Sequence, residues 1–135
     1  MKIIYVTTAM DKNDYKDFVK LWKRSPNPSN QNFHNKLIRA ISMNNEVEVI
    51  SVRPFSHTYC EVKSLKPEEK KIDNIFWRYI YVHGNKITRP FHNYRNAVKL
   101  FSKRKNEDAI ILTDTINPTC IRIANFIGKK LDLRV

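Results

Sequence analysis

Only two of the 135 residues are glycine, Gly84 and Gly128, and they stand far apart. Neither a G-x-G-x-x-G dinucleotide fingerprint nor a Walker loop can be written with them. Cysteine is equally scarce. Cys60 and Cys120 form no CxxC pair and have no histidine cluster beside them, so neither a disulfide framework nor a zinc site is read. Long apolar runs are missing too. Ile110-Ile111-Leu112 is among the longest aliphatic stretches, against the roughly 20 residues that a membrane-spanning helix needs. Met1-Lys2 leads straight into a short apolar run without a small-residue cleavage site, so no secretory signal is read and the cytoplasm is the expected compartment. His34, His57, His83 and His92 are scattered, and no HExxH or G-x-S-x-G motif accompanies them. No catalytic apparatus is legible.

Acidic residues are also few: 13 Asp and Glu against 25 Lys and Arg, a net charge of +12. The excess is uneven. Between Lys86 and Lys105 there are seven basic residues and no acidic one. Arg95, Lys99, Lys103, Arg104 and Lys105 form the candidate contact with a membrane or other polyanion, while a merely solvated helix face is the plain alternative.

What is present reads as α/β. Lys2–Thr7 is a buried strand, Glu46–Val52 alternates as a strand does, Asp73–Val82 is aromatic and β-branched, and Asp108–Thr113 is again a buried strand. Between them lie helical patterns. Ser29 is read as the N-cap of a helix carrying Phe33, Leu37, Ala40 and Ile41, and Phe91, Tyr94, Ala97, Val98 and Phe101 form one stripe meant for the sheet. Asn117-Pro118 opens a third helix with Cys120, Ile123, Ala124, Ile127 and Leu131. Leu133–Val135 starts a further strand. Tyr15, Phe18, Val19 and Trp22 share one face of a short helix that either packs on the core or acts as a mobile flap. Asn13–Asn30 and Arg53–Lys71 are otherwise read as irregular. The expected fold is a single Rossmann-like domain over 1–135, with three αβα layers around a doubly wound parallel sheet of order about 3-2-1-4-5.

That topology places a site. Ligands of such sheets bind beyond the carboxyl ends of the strands, where the strand order reverses. The residues expected there are Thr7, Thr8, Ser29, Asn30, Gln31, Asn32, Thr113, Asp114, Thr115 and Asn117, with His83 close by. Asp114 is the leading polar candidate. Ser29 and Asn117 have a plainer role as helix caps, and Asp114 as the acceptor of an Asx-turn.

The segments KIIYVTTAM, SNQNFHNKLIRAI with EVEVISVRPFS, and IILTDTINPTCIRIANFIGKKLDLRV together resemble the N-terminal domain of bacterial group 1 glycosyltransferases, the retaining enzymes of GT-B fold. The likeness spans nearly the whole chain but consists of strand and helix patterns rather than catalytic signatures. It implies an acceptor-binding half whose partner, a C-terminal domain, holds the nucleotide-sugar, so the chain is expected to be the first part of a longer two-domain enzyme. Substrate contacts are then expected from Thr8, Ser29, Gln31, Asn32, His83, Asp114, Thr115 and Asn117, with no metal and no cofactor in this half. The glycine-rich turn and the histidine found in many relatives are replaced here by a polar segment through Ser25–Ser29 and by Thr113-Asp114-Thr115, so catalytic residues are not transferred.

The implied partners are a sugar acceptor, glycan or lipid-linked, and the anionic inner face of a membrane. The alternative function is a non-catalytic basic module binding nucleic acid or another polyanion, with Trp77, Tyr79 and Tyr81 as a stacking platform. No RNP-like, KH or helix-turn-helix signature supports it, so nucleic acid is not the expected partner.

Overall fold

The computed structural model describes residues 1–23, 27–56, 58, 60, 62–105 and 107–135. Its elements in order are β1 (Lys2–Thr7), α1 (Lys12–Lys20), α2 (Pro28–Ser42), β2 (Glu46–Ser51), β3 (Ser64–Leu65), β4 (Glu68–Ile72), β5 (Ile75–Tyr79), β6 (Val82–His83), α3 (Arg89–Phe101), β7 (Ala109–Thr113) and α4 (Pro118–Leu131). The main sheet has five strands in the order β4-β5-β2-β1-β7. β5, β2, β1 and β7 run parallel, with Ile4 opposite both Glu48 and Ile111. β1 is therefore an interior strand, one in from the β7 edge, and its residues Ile3 to Thr7 are all buried, as a strand covered on both faces must be.

Helices cover both sides. Tyr5 of β1 bonds to His34 of α2, so the odd-numbered residues of β1 face α2. Ile111 shares the register of Ile4 and lies against Gly128 of α4, so the even-numbered face carries α3 and α4. The mixed sheet departs from the expected purely parallel one. Glu68–Ile72, read as irregular, is an antiparallel edge strand joined to β5 by a turn at Asp73-Asn74, where Asp73 adopts φ 52°. Four of its five residues are charged, which hides a strand pattern and also protects an open edge from pairing with other chains. The expected third strand is correspondingly divided. Ile75–Tyr79 joins the main sheet, while Val82–His83 pairs with β3 in a small sheet of its own.

Other boundaries shift for local reasons. Asn27, not Ser29, caps α2: its side chain accepts from Ser29 N at 3.0 Å, and Pro28 takes the first helical position, where a missing N–H costs nothing. The fifth strand of the expected order is absent at Leu133–Val135, although Ile111 N donates to Arg134 O at 3.2 Å and so holds that segment beside β7. On α3 the inward positions are Asn93, Ala97 and Phe101, and Phe91 is 69% exposed instead of facing the sheet. The helix leaves the core at its first turn, so the stripe tips and an amide replaces the aromatic ring. α1 packs on the core through buried Phe18, with Tyr15 and Trp22 partly buried against it. The cap at Asn117 is as expected, accepting from Thr119 N and Cys120 N.

Candidate functional site

Past the carboxyl ends of β1 and β2 a cleft of about 340 Å³ opens toward the first turns of α3 and α4. Thr8 contributes from just after β1, Val52 to Ser56 from the segment after β2, Lys86, Arg89 and Asn93 from around the start of α3, and Asn117 and Thr119 from the start of α4. This is the order-reversal position between β1 and β7. Among the described residues no carboxylate lines it.

Three lining residues, Arg53 (Nε), Ser56 (Oγ) and Asn93 (Oδ1), carry a buried polar atom with no hydrogen-bond partner among the described residues, and the two oxygens stand out. Asn93 is 4% exposed and Ser56 is 5% exposed, and neither Asn93 Oδ1 nor Ser56 Oγ has a hydrogen-bond partner among the described residues. Buried polar atoms are nearly always paired, because leaving one unpaired costs about 1–3 kcal/mol. Two beside one cleft mark a place where a ligand can complete the bonding. The cations there are held in position. Arg89 donates to Phe55 O, and burial pulls its pKa below the usual arginine value without removing the charge. Arg53 donates to Ile80 O at 3.1 Å and to Lys66 O, lies over the Tyr79 ring, and so braces the wall of the cleft.

The expected site residues divide between this cleft and its supports. Thr8 and Asn117 line it. Asn30 Nδ2 donates to Thr8 Oγ1 at 3.3 Å. Gln31 is buried with both amide ends engaged, accepting from Met10 N at 2.9 Å and donating to Thr8 O at 3.0 Å, and so clamps the turn after β1. Thr7 and Ser51 brace the same turn, Thr7 Oγ1 accepting from Ala9 N at 3.1 Å and Ser51 donating to Ala9 O at 2.5 Å. Asn32 is exposed and lies with Lys12, Lys36 and Arg39 on a smaller cleft, of about 220 Å³, between α1 and α2. Ser29 and Thr115 are exposed. His83 belongs to the small sheet, accepts from Asn85 N at 3.2 Å and lies 5.7 Å from the ring of His92. His57 lies outside the described residues.

Asp114 is not among the cleft-lining residues. It is 4% exposed; one oxygen accepts from Ile116 N at 2.9 Å in an Asx-turn and the other lies 3.3 Å from His34 Nε2. His34 Nδ1 in turn lies 2.5 Å from the Tyr5 hydroxyl. Burial, with Asp114 nearby, pushes the Tyr5 pKa up to about 12, so the hydroxyl keeps its proton and donates to Nδ1. Burial also pulls His34 down despite the opposing pull of Asp114, leaving a neutral ring that donates from Nε2 to Asp114. Three elements, β1, α2 and the end of β7, meet in this chain of bonds.

The basic stretch is corrected at one position. Arg95, Lys99, Lys103 and Lys105 are exposed, but Arg104 turns inward and binds both oxygens of Glu48, at 2.7 and 2.8 Å, and Glu107 as well. Lys2 and Arg78 complete the cluster around the buried Glu48 carboxylate, at 3.1 and 2.7 Å. Arg104 is thus spent on the fold, and a polyanion contact from it would break that cluster. The envisaged stacking platform is also closed, since Trp77 and Tyr79 are 1% and 2% exposed.

Sequence reasoning missed Ser56, Asn93, Arg53, Arg89, Lys86 and Thr119 as cleft residues. Asn93 carried a usable signal: it shares a helical face with Ala97 and Phe101, and an amide on an apolar face asks for a partner. Among the described residues no cluster of three or more His, Cys, Asp or Glu side chains is placed to hold a metal ion, and no helix is long and apolar enough to cross a membrane. None of the protein-family models, curated proteins or solved structures compared with this chain matches it.

Proposed function

We propose that this chain is the acceptor-side domain of a glycosyltransferase of GT-B type, which positions a sugar or lipid-linked acceptor while a second domain supplies the nucleotide-sugar. The observation that carries the reading is the cleft at the strand-order reversal, where Thr8, Ser56, Asn93, Asn117 and Thr119 present hydroxyl and amide groups from four separate segments. Sugars are recognised by such convergent polar groups, and Asn93 Oδ1 and Ser56 Oγ, which have no partner among the described residues, offer bonds that a hydroxyl-rich ligand satisfies. The lining groups bind and orient. Transfer itself needs the donor half.

The exposed side of α3 fits attachment to an anionic membrane surface, where a lipid-linked acceptor would be met. Ile87 and Phe91 are 90% and 69% exposed, and with Arg122 and Lys129 they line a groove between α3 and α4. Apolar rings at the headgroup level combined with Lys and Arg around them are what interfacial binding requires.

Saturation-transfer NMR on the intact chain tests the acceptor reading. Neutral and acidic sugars should receive saturation, and UDP-, GDP- and dTDP-sugars should receive it no better than their sugar parts do. Strong saturation of nucleotide protons, or of RNA and not of any sugar, would count against it.

A further inference from the structure

The cleft is more particular than a neutral sugar site requires. Lys86 and Arg89 share the lining with Asn93 Oδ1 and Ser56 Oγ, two oxygens that have no hydrogen-bond partner among the described residues, and no described lining residue is a carboxylate. Arg89 uses one terminal nitrogen on Phe55 O, and a guanidinium with five N–H donors retains others for a ligand. An acceptor oxygen such as Asn93 Oδ1 repels anion oxygens and bonds hydroxyl hydrogens. The two kinds of group thus ask for different parts of one molecule.

We propose that the cleft binds an anionic sugar, its phosphate or carboxylate held by Arg89 and Lys86 and its hydroxyls by Asn93 and Ser56. The proposal rests on the acceptor-side reading and narrows it to a substrate class: the acceptor is a phosphorylated or uronic sugar, or the anionic sugar end of a larger acceptor. Burial of Arg89 strengthens its pull on an anion, because a partly desolvated guanidinium is less screened than a surface one. Asn93 supplies selection in the other direction. Inorganic phosphate has no sugar hydroxyls, and when held at Arg89 and Lys86 it offers at most its own P–OH groups in place of the several hydroxyls of a sugar, so it is the weaker ligand.

Calorimetric titration of the intact chain separates the possibilities, with glucose 1-phosphate, glucuronate, glucose and inorganic phosphate as probes at low and near-physiological salt. Glucose 1-phosphate or glucuronate should bind at least about tenfold more tightly than glucose and than inorganic phosphate, and whichever leads identifies the anionic group. Arg89→Gln should weaken that ligand about tenfold or more, and Lys86→Gln, at an exposed position that does not endanger folding, severalfold. Ser56→Ala and Asn93→Ala should bring its affinity down toward that of inorganic phosphate, with unchanged circular dichroism showing that the fold survives. Glucose binding as well as its phosphate would overturn the anionic assignment and leave the acceptor-side reading standing. Anion binding that ignores both Lys86→Gln and Arg89→Gln would place the site elsewhere and overturn the proposal. Failure of all four probes to bind would overturn the proposal, and the acceptor-side reading would fail with it only if the wider saturation-transfer panel also showed no sugar contact.

Discussion

Asp114, at the end of β7, lies 3.3 Å from Nε2 of His34 in α2, and both side chains are more than nine-tenths buried. Because His34 also meets the Tyr5 hydroxyl, the pair ties the interior strand β1, the edge strand β7 and the covering helix α2 together. A buried carboxylate on this scale survives only with its bonds made. Asp114→Ala removes the Asx-turn bond and leaves the His34 N–H facing nothing. A loss of about 2–3 kcal/mol is expected, the range for an orphaned buried group plus a charge-assisted bond, measurable by urea denaturation. Asp114→Asn, which keeps the Asx-turn acceptor, should cost less.

His34 also sets a pH dependence. Its folded pKa is lowered by burial, with Asp114 only partly offsetting this, so below the unfolded value of about 6.5 the unfolded chain binds more protons than the folded one. Stability from this source is full above that pH and lost as pH falls through the lowered folded value. His34→Gln should flatten this limb of a stability–pH profile while leaving the more acidic limb in place.

The more acidic limb belongs to Glu48 and Glu107. Burial pushes Glu48 up, but Arg104 and Lys2 outweigh it and hold it below the ordinary carboxylate range. A hydrogen bond from Arg104 leads the causes that take Glu107 down to about 2. These groups stabilise the fold above about pH 4.5, and the contribution disappears as pH falls toward 2. Glu48→Gln leaves Lys2, Arg78 and Arg104 crowded without their shared counter-charge. It should cost about 3 kcal/mol, the lower end of the range for removing one partner of a buried pair, and shift the urea midpoint accordingly. Arg104→Gln should destabilise the fold as well, whereas Lys99→Gln, Lys103→Gln and Lys105→Gln should each stay within about 0.5 kcal/mol.

Much of the scaffold was legible because local chemistry and burial agree there. β1 is an apolar run buried from Ile3 to Thr7, and Asn117-Pro118 is a cap whose hydrogen bonds are the ones its residue types favour, whereas β7, read as buried, is an edge strand with Ile110 40% exposed. Legibility stopped where a residue's role depends on a partner far along the chain. Glu48 looks like the polar face of an alternating strand, yet it is buried because Arg104, 56 positions later, folds back to neutralise it. β4 reads as a charged loop because its stability comes from pairing with β5, not from a buried stripe. His34 looked like one scattered histidine among four, and only the folded chain brings Tyr5 and Asp114 to its two nitrogens. The cleft at the strand-order reversal includes Thr8 and Asn117, which topology points to, whereas Ser56 comes from an irregular segment whose inward phase the sequence does not fix.

The helix after β1 should behave as part of the core. Phe18 is buried, Asp11 N donates to Tyr79 Oη at 2.9 Å, and Lys70 bridges Asp11 and Asp14. Amide exchange across Tyr15–Leu21 should be protected to within about tenfold of α2. Exchange at the rate of an unstructured segment would restore the mobile flap.

Membrane attachment should need both rings and charge. Binding to vesicles rich in anionic lipid should fall with salt and be lost in a combined Arg95→Gln, Lys99→Gln, Lys103→Gln and Lys105→Gln variant, at roughly 1 kcal/mol per charge close to the surface. Phe91→Ser with Ile87→Ser should weaken it as well while leaving stability unchanged, because both side chains are exposed. Equal retention on neutral and anionic vesicles would contradict the electrostatic part.

The most direct test of the acceptor cleft is amide chemical-shift mapping on the uniformly labelled chain, titrated with a phosphorylated sugar. The expected perturbations gather at Thr8, Ser56, Arg89, Asn93, Asn117 and Thr119, with the Asn93 side-chain amide among the largest. Perturbations confined to Lys99–Lys105, or to Lys12, Lys36 and Arg39 between α1 and α2, would contradict it.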